Sequence, residues 1–139
     1  MAQEYRKPLP QPTETSRPFW EGARRGELRL QRCRSCGEYV FYPRSLCPHC
    51  LSPELGWTTA SGRGHVYTYT VVRRPAHPGF RDEVPYVLAI VELEEGPRLT
   101  TNIVGVAPEE VRIGMPVEAV FEPATEEITL VKFRPRKET

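Results

Sequence analysis

Cys33-Arg-Ser-Cys36 and Cys47-Pro-His-Cys50 hold all four cysteines of the chain, spaced as two Cys-x2-Cys pairs ten residues apart. A Cys-x-x-Cys turn aims two thiolates at one point, and two such turns face to face make a tetrahedral four-sulfur site. That donor set suits zinc, although iron takes the same geometry. Gly37 follows the first pair and supplies the positive φ that lets amides point back at sulfur. In the second turn Pro48 stiffens the backbone, and Leu51 stands where the glycine would be. Two disulfides, or a redox pair, are the competing readings. The start, Met1-Ala-Gln-Glu-Tyr-Arg-Lys-Pro8, lacks the apolar stretch of an export signal, so a cytoplasmic, reducing compartment is expected. No βαβ pattern surrounds either pair, as a redox motif would need. The expectation is a closed structural zinc site on Cys33, Cys36, Cys47 and Cys50, with His49 turned away from the metal. Four protein ligands leave no position for water, so such a metal is not a catalyst.

On the N-terminal side of the knuckles, residues 1–13 carry three prolines and no apolar periodicity, which reads as an extended arm. Ser16 is the expected N-cap of a short helix of about ten residues, with Pro18 in its first turn and Gly26 as its stop. So short a helix is marginal alone in water, so Phe19 and Trp20 must dock on something. Phe19, Trp20 and Arg24 are the candidate docking residues, against the protein's own barrel or a partner. Leu28-Arg-Leu30-Gln-Arg32 and Tyr39-Val-Phe-Tyr42 alternate as strands leading into and out of the first knuckle. Helix, strand, knuckle, strand, knuckle is the layout of a zinc ribbon, placed at 14–55.

On the C-terminal side the pattern changes to short strands between turns. Ser61-Gly-Arg-Gly64 opens a strand His65–Val72, whose alternation puts Val66, Thr68, Thr70 and Val72 on one face and His65, Tyr67, Tyr69 and Val71 on the other. Arg73–Pro85 is a loop with three prolines. Tyr86–Leu93 is the most apolar strand, followed by Arg98–Val104, a short turn from Pro108, and a last pair at Pro116–Phe121 and Glu127–Phe133. Five closely spaced strands over 56–135 fit a small closed β-barrel, since closure removes the edges that short strands expose. Residues 136–139 read as a polar tail. The fold class is mainly β, a helix and zinc ribbon followed by a five-stranded barrel.

Charge narrows the partners. The chain's 139 residues carry 19 Lys+Arg against 18 Asp+Glu, so no global field recruits nucleic acid or an anionic membrane. No apolar run approaches the roughly 20 residues of a membrane helix. The basic excess clusters near the cysteines, at Arg24, Arg25, Arg29, Arg32 and Arg34, as a partial neutralisation of thiolate charge or as an anion-contacting face. Nucleic-acid binding through Tyr67 and Tyr69 is disfavoured because the barrel half is net negative by three. No Ser/His/Asp or Cys/His spacing marks an enzyme, and His49, His65 and His77 read most simply as surface, strand-start and loop residues.

The motifs assembled so far resemble a known family, the zinc-ribbon plus OB-fold proteins called domain of unknown function thirty-five. The resemblance runs through Pro18-Phe-Trp-Glu-Gly22, Gly26-Glu-Leu28, Gln31-Arg-Cys33-Arg-Ser-Cys36-Gly37, Pro43-Arg44 and Cys47-Pro-His-Cys50. It continues through Ser61-Gly-Arg-Gly64, Val84-Pro-Tyr-Val87, Val91-Glu-Leu93, Glu95-Gly-Pro97, Thr101-Asn102 and Ile113-Gly-Met-Pro-Val117. It implies a rubredoxin-like ribbon, an OB-fold barrel, and a non-catalytic accessory role in a hetero-oligomer with a thiolase, aldolase, acyltransferase or other acyl-CoA enzyme. A MaoC-type hydratase is the further partner class it implies. In some complexes such proteins cover part of a coenzyme A channel, which makes coenzyme A or acyl-CoA a shared ligand. The candidate contacts for coenzyme or partner are then Arg73, Arg74, His77, Phe80 and Arg81, whose loop offers three guanidiniums for phosphate.

Overall fold

The computed structural model describes residues 9–75 and 77–136, so most of the expected arm and all but the first residue of the expected tail lie outside the described residues. The helix α1 spans Arg17–Arg24, and the strands are β1 (Arg29–Cys33), β2 (Tyr39–Val40), β3 (Leu55–Thr59), β4 (Arg63–Val72), β5 (Tyr86–Leu93), β6 (Arg98–Ile103), β7 (Pro116–Pro123) and β8 (Thr129–Pro135). β2, β1 and β3 form a three-stranded antiparallel sheet, and β4-β5-β6-β8-β7 close into a barrel. In barrel order the strands run first, second, third, fifth, fourth, which is the connectivity of an OB-fold.

The helix is shorter than its apolar pattern suggests, and its cap lies further upstream. Ser16 is already helical, with φ −92° and ψ −7°, and caps nothing with its side chain. Instead the Thr13 hydroxyl accepts from the Ser16 amide at 3.1 Å while the Ser16 hydroxyl accepts from the Thr13 amide at 2.9 Å. This reciprocal pair is a capping box opened by Thr13. At the other end the Glu27 amide donates to Gly22 and the Gly26 amide to Ala23, the two bonds of a Schellman motif. The helix buries Phe19, Gly22 and Ala23, an i, i+3, i+4 stripe.

Ribbon and barrel share one apolar core. Phe19, Leu28 and Leu30 pack in the same cluster as the barrel's Val66, Val87, Val91, Leu99, Ile103, Val117 and Phe133. The joint is pinned by polar contacts: the Ala60 amide donates to Leu28, the Ala119 amide to Gly62, and the Ser61 amide to the Glu95 carboxylate at 2.8 Å. The strand β3 does not stand out in the sequence, because Leu55-Gly-Trp-Thr-Thr59 has no clear alternation. It is held instead by five consecutive pairings to β1, from Arg29↔Thr59 to Cys33↔Leu55.

β4 corrects the alternation read from sequence. Its pairing with β5 shifts between Val66 and Thr68, a β-bulge that leaves Tyr67 unpaired. One extra residue reverses the parity of everything after it. Tyr69 therefore packs on the core, while Thr68 and Thr70 face out. Barrel closure rests on one parallel pairing, Ile103↔Phe133, reinforced by the Val104 amide donating to Phe133 at 2.8 Å.

Candidate metal centre

β1 runs straight into the first knuckle and delivers Cys33, while β2 leads back out of it; the second knuckle sits between β2 and β3. The four sulfurs lie within 4.8 Å of one another. Cys33 and Cys50 sulfurs are 3.5 Å apart, and those of Cys36 and Cys47 are 3.7 Å apart. A tetrahedron of Zn–S bonds near 2.3 Å places its sulfurs about 3.8 Å apart. A disulfide would need about 2.05 Å, and all four cysteines are free. The residues present thus fit a four-coordinate zinc and not a pair of bridges. The Cys36 amide points at the Cys33 sulfur and the His49 amide at that of Cys47, both at 3.4 Å. Cys33 and Cys47 are buried and Cys36 and Cys50 exposed, so the site straddles the surface. His49 is exposed and outside the cluster.

The thiols do not ionise alike. The Cys36 amide pulls the Cys33 thiol down to about 6. The Glu38 amide acts the same way on Cys36, but burial and the shared bonds with the other three sulfurs outweigh it and push that thiol up to about 12. Cys50 is also raised: the Ser52 amide opposes the shift, and the Cys33 sulfur and burial drive it. Four sulfurs this close cannot all carry charge without a cation among them, so a metal entering the site displaces protons.

The two knuckles share one backbone. Gly37, at φ 80°, donates its amide to Cys33, and Leu51, at φ 65°, donates to Cys47, both at 2.8 Å. Leu51 holds the left-handed conformation without being glycine, while 73% exposed. That conformation costs an L-residue roughly 1–2 kcal/mol, and an exposed leucine regains little by packing. Leu51→Gly is therefore expected to stabilise the zinc-loaded protein by about 1 kcal/mol, read as a higher denaturant midpoint at constant m-value.

A residue without a metal-ligand signature sets the approach of the second knuckle. Gln31 is 4% exposed; its amide nitrogen donates to the Arg44 carbonyl at 2.8 Å, and its oxygen accepts from the Arg44 amide at 2.7 Å. The side chain thus stands in for a strand partner. Gln31→Leu keeps the volume but leaves both Arg44 backbone groups unpaired, at about 1–3 kcal/mol each. Thermal unfolding is expected to fall by roughly 10 °C, a shift of the size a 2–3 kcal/mol loss gives in a domain of this length. Arg32 braces the first knuckle similarly, donating to the Gly37 carbonyl at 3.1 Å while lying over the Tyr39 ring.

The remaining candidates fall in two places. Phe19 is committed to the core, edge-on to Trp20 and tilted against Phe41. Trp20 is half-buried and Arg24 exposed. A cavity of about 490 Å³ opens beside them, walled by Trp20, Phe41 and Tyr42 on one side and by Thr100, Asn102 and Lys132 of the barrel on the other. Arg73, Arg74, His77, Phe80 and Arg81 lie in the β4–β5 connection, around a single 3-10 turn at Pro78–Phe80. The His77 Nδ1 accepts from the Gly79 amide at 2.9 Å, and the Phe80 ring lies tilted against that of Tyr86. The three arginines are exposed and make no ion pair among the described residues. Tyr67 and Tyr69 do not form a paired stacking platform: Arg98 covers the Tyr67 ring at 3.8 Å, and Tyr69 turns inward after the bulge. His65 lies 3.6 Å from Glu92, which also holds Arg98.

Comparison with known proteins agrees with this geometry. Residues 20–56 match the rubredoxin-like zinc ribbon domain of ChsH2, and residues 57–122 its C-terminal OB-fold domain. Over 118 residues the chain is 48% identical to a probable enoyl-CoA hydratase alpha subunit of Thermomonospora curvata, covering 84% of this chain but 36% of that protein. Over 116 residues it is 40% identical to a DUF35 domain-containing scaffold protein of Methanothermobacter thermautotrophicus, covering 83% of this chain and 86% of that one. A chain of the solved Ltp2-ChsH2(DUF35) aldolase superposes with a TM-score of 0.82 at 42% identity, over 91% of this chain and 98% of its own length. The chain thus spans about a third of the hydratase subunit and most of the scaffold protein.

Proposed function

This chain belongs to the DUF35 family of ChsH2-type zinc-ribbon and OB-fold proteins, and on that premise we propose that it is a non-catalytic accessory subunit of an acyl-CoA enzyme. The observation that carries the reading is the similarity, over nearly the full length of both chains, to the DUF35 chain of an aldolase complex. Physically, the role asks for a rigid body with surfaces to spare. One core that ties helix, ribbon and barrel together supplies the first. The exposed knuckle side chains Leu46 and Leu51 supply part of the second.

The partner in this reading is a thiolase-like enzyme, aldolase or acyltransferase. The β4–β5 loop is where coenzyme A, as a shared ligand, would meet this chain, through Arg73, Arg74 and Arg81 with His77 and Phe80 beside them. In OB-folds the connection between the first two strands is a common binding loop, which supports that placement. Half-buried Trp20 and exposed Arg24 are the helix residues left for the partner. The similarity to an enoyl-CoA hydratase alpha subunit favours a second reading, with a hydratase as partner. Affinity capture of the tagged full chain from its native source, followed by mass spectrometry, separates the two by which enzyme copurifies. Charge reversal of Arg73, Arg74 and Arg81 then tests the loop: weaker acyl-CoA binding by the assembled complex supports it, and unchanged affinity removes it. Recovery of the chain alone under gentle lysis, or turnover of acyl-CoA by the isolated chain, would sink the accessory role.

A further inference from the structure

The barrel end where β7 begins and β8 finishes holds a cleft of about 520 Å³, lined by Val106, Glu110, Arg112, Met115, Pro116, Pro135 and Arg136. The Arg136 amide donates to the Pro116 carbonyl at 2.9 Å and fixes that residue beside β7. Its side-chain Nε–H is buried and meets no acceptor, alone in this among the described residues. A buried donor left without an acceptor is costly, the more so when it carries charge. Nor does Arg112 form an ion pair among the described residues, although other arginines of the barrel do, Arg134 with Glu118 and Arg98 with Glu92.

We propose that this cleft is a binding site for a monocarboxylate carried on an apolar body. An anionic oxygen is the acceptor that the Arg136 Nε–H lacks, and a guanidinium fork takes a carboxylate through two parallel bonds. Charge decides between oxyanions. Arg112 and Arg136 against Glu110 leave the cleft one positive charge, which a monoanion balances, whereas a phosphate dianion would meet the Glu110 carboxylate. The rest of the lining is Val106, Met115, Pro116 and Pro135, which offer no polar side chain and suit an alkyl or ring body.

The test uses the 15N-labelled full chain with zinc bound, titrated separately with sodium octanoate, octanol and inorganic phosphate. Octanoate is expected to move the Arg136 Nε–H resonance and the Val106, Met115 and Arg136 amides along one saturable curve, while octanol and phosphate do not saturate there. Arg136→Gln is expected to weaken octanoate at least tenfold. Arg112→Gln, at an exposed position where folding is not at stake, is expected to weaken it several-fold. Equal binding of octanol would reduce the cleft to an apolar surface. Tighter binding of phosphate would reverse the charge assignment. Unchanged affinity in both variants, or shifts scattered away from the cleft, would remove the site.

Discussion

Stripping the metal with a strong chelator, or replacing Cys33 or Cys50 by serine, is expected to melt residues 33–55 while the barrel stays folded. The apolar cluster beside the sulfurs consists of Cys33, Val40 and Cys47 with Leu55 against it, and two of those four are ligands. So small a core cannot offset the ordering entropy of two knuckles. A structural zinc contributes about 10–16 kcal/mol at neutral pH, which makes it the main support of this segment. The opposite end of the ribbon differs, because Leu28 and Leu30 pack with Phe19 and the barrel and owe nothing to the metal. Hydrogen exchange read by mass spectrometry should therefore lose protection across both knuckles and β2, and keep it in β5, β6 and the Leu28–Leu30 stretch. Acid acts in the same direction. Zinc must displace the protons that the raised Cys36 and Cys50 thiols hold, so occupancy falls as pH drops. If a knuckle surface carries the partner, copurification is lost with the metal. Unchanged exchange in a preparation shown by elemental analysis to be metal-free would refute this account.

The parts of this molecule that sequence makes legible are those where one residue type answers to one physical demand. Four thiols at this spacing have few other uses, and the paired distances near 3.6 Å agree with the tetrahedron expected of them. The five barrel strands are legible because short apolar and β-branched runs recur between Gly- and Pro-marked turns. Where sequence is silent, the determinant is relational. β3 has no pattern of its own and exists because β1 offers it an edge. The bulge at Tyr67 is set by pairing with β5, and its consequence, Tyr69 inside and Thr68 outside, reverses the simple alternation. Ser16 resembles a cap, but its hydroxyl turns back to accept from the Thr13 amide while its own amide donates to the Thr13 hydroxyl. Gln31 looks like any polar strand residue until the Arg44 peptide is brought against it. The arginine cluster near the cysteines likewise divides only in three dimensions: Arg32 braces a knuckle, Arg29 bonds Thr59, and Arg25 pairs with Glu27.

Ser61-Gly-Arg-Gly64 reads as a single turn, yet its two glycines answer to different constraints, and substituting the second is expected to be far more damaging. Gly62 sits at φ 79°, where a β-carbon would have ordinary space, 3.6 Å from the Ala119 methyl. Gly62→Ala therefore costs backbone strain alone, about 1 kcal/mol. Gly64 lies inside β4, paired to Leu93 on one side and to Val117 on the other, where β4 bonds both of its barrel neighbours. A β-carbon there would run into the Glu92 carbonyl oxygen and stand 3.0 Å from a Val91 methyl. Neither obstacle can swing aside: the oxygen is backbone in a paired strand, and Val91 is fully buried. Gly64→Ala must then push β4 off β5 at a point where β4 also pairs with β7, an overpacking cost of about 3 kcal/mol. That is a large share of the 5–15 kcal/mol that holds a typical domain. The expected fall in melting temperature is roughly 10–15 °C for Gly64→Ala, against a few degrees for Gly62→Ala. Two variants melting together would mean that the β4–β5 pairing yields as readily as the turn, and the closed barrel would lose its claim to be a rigid body.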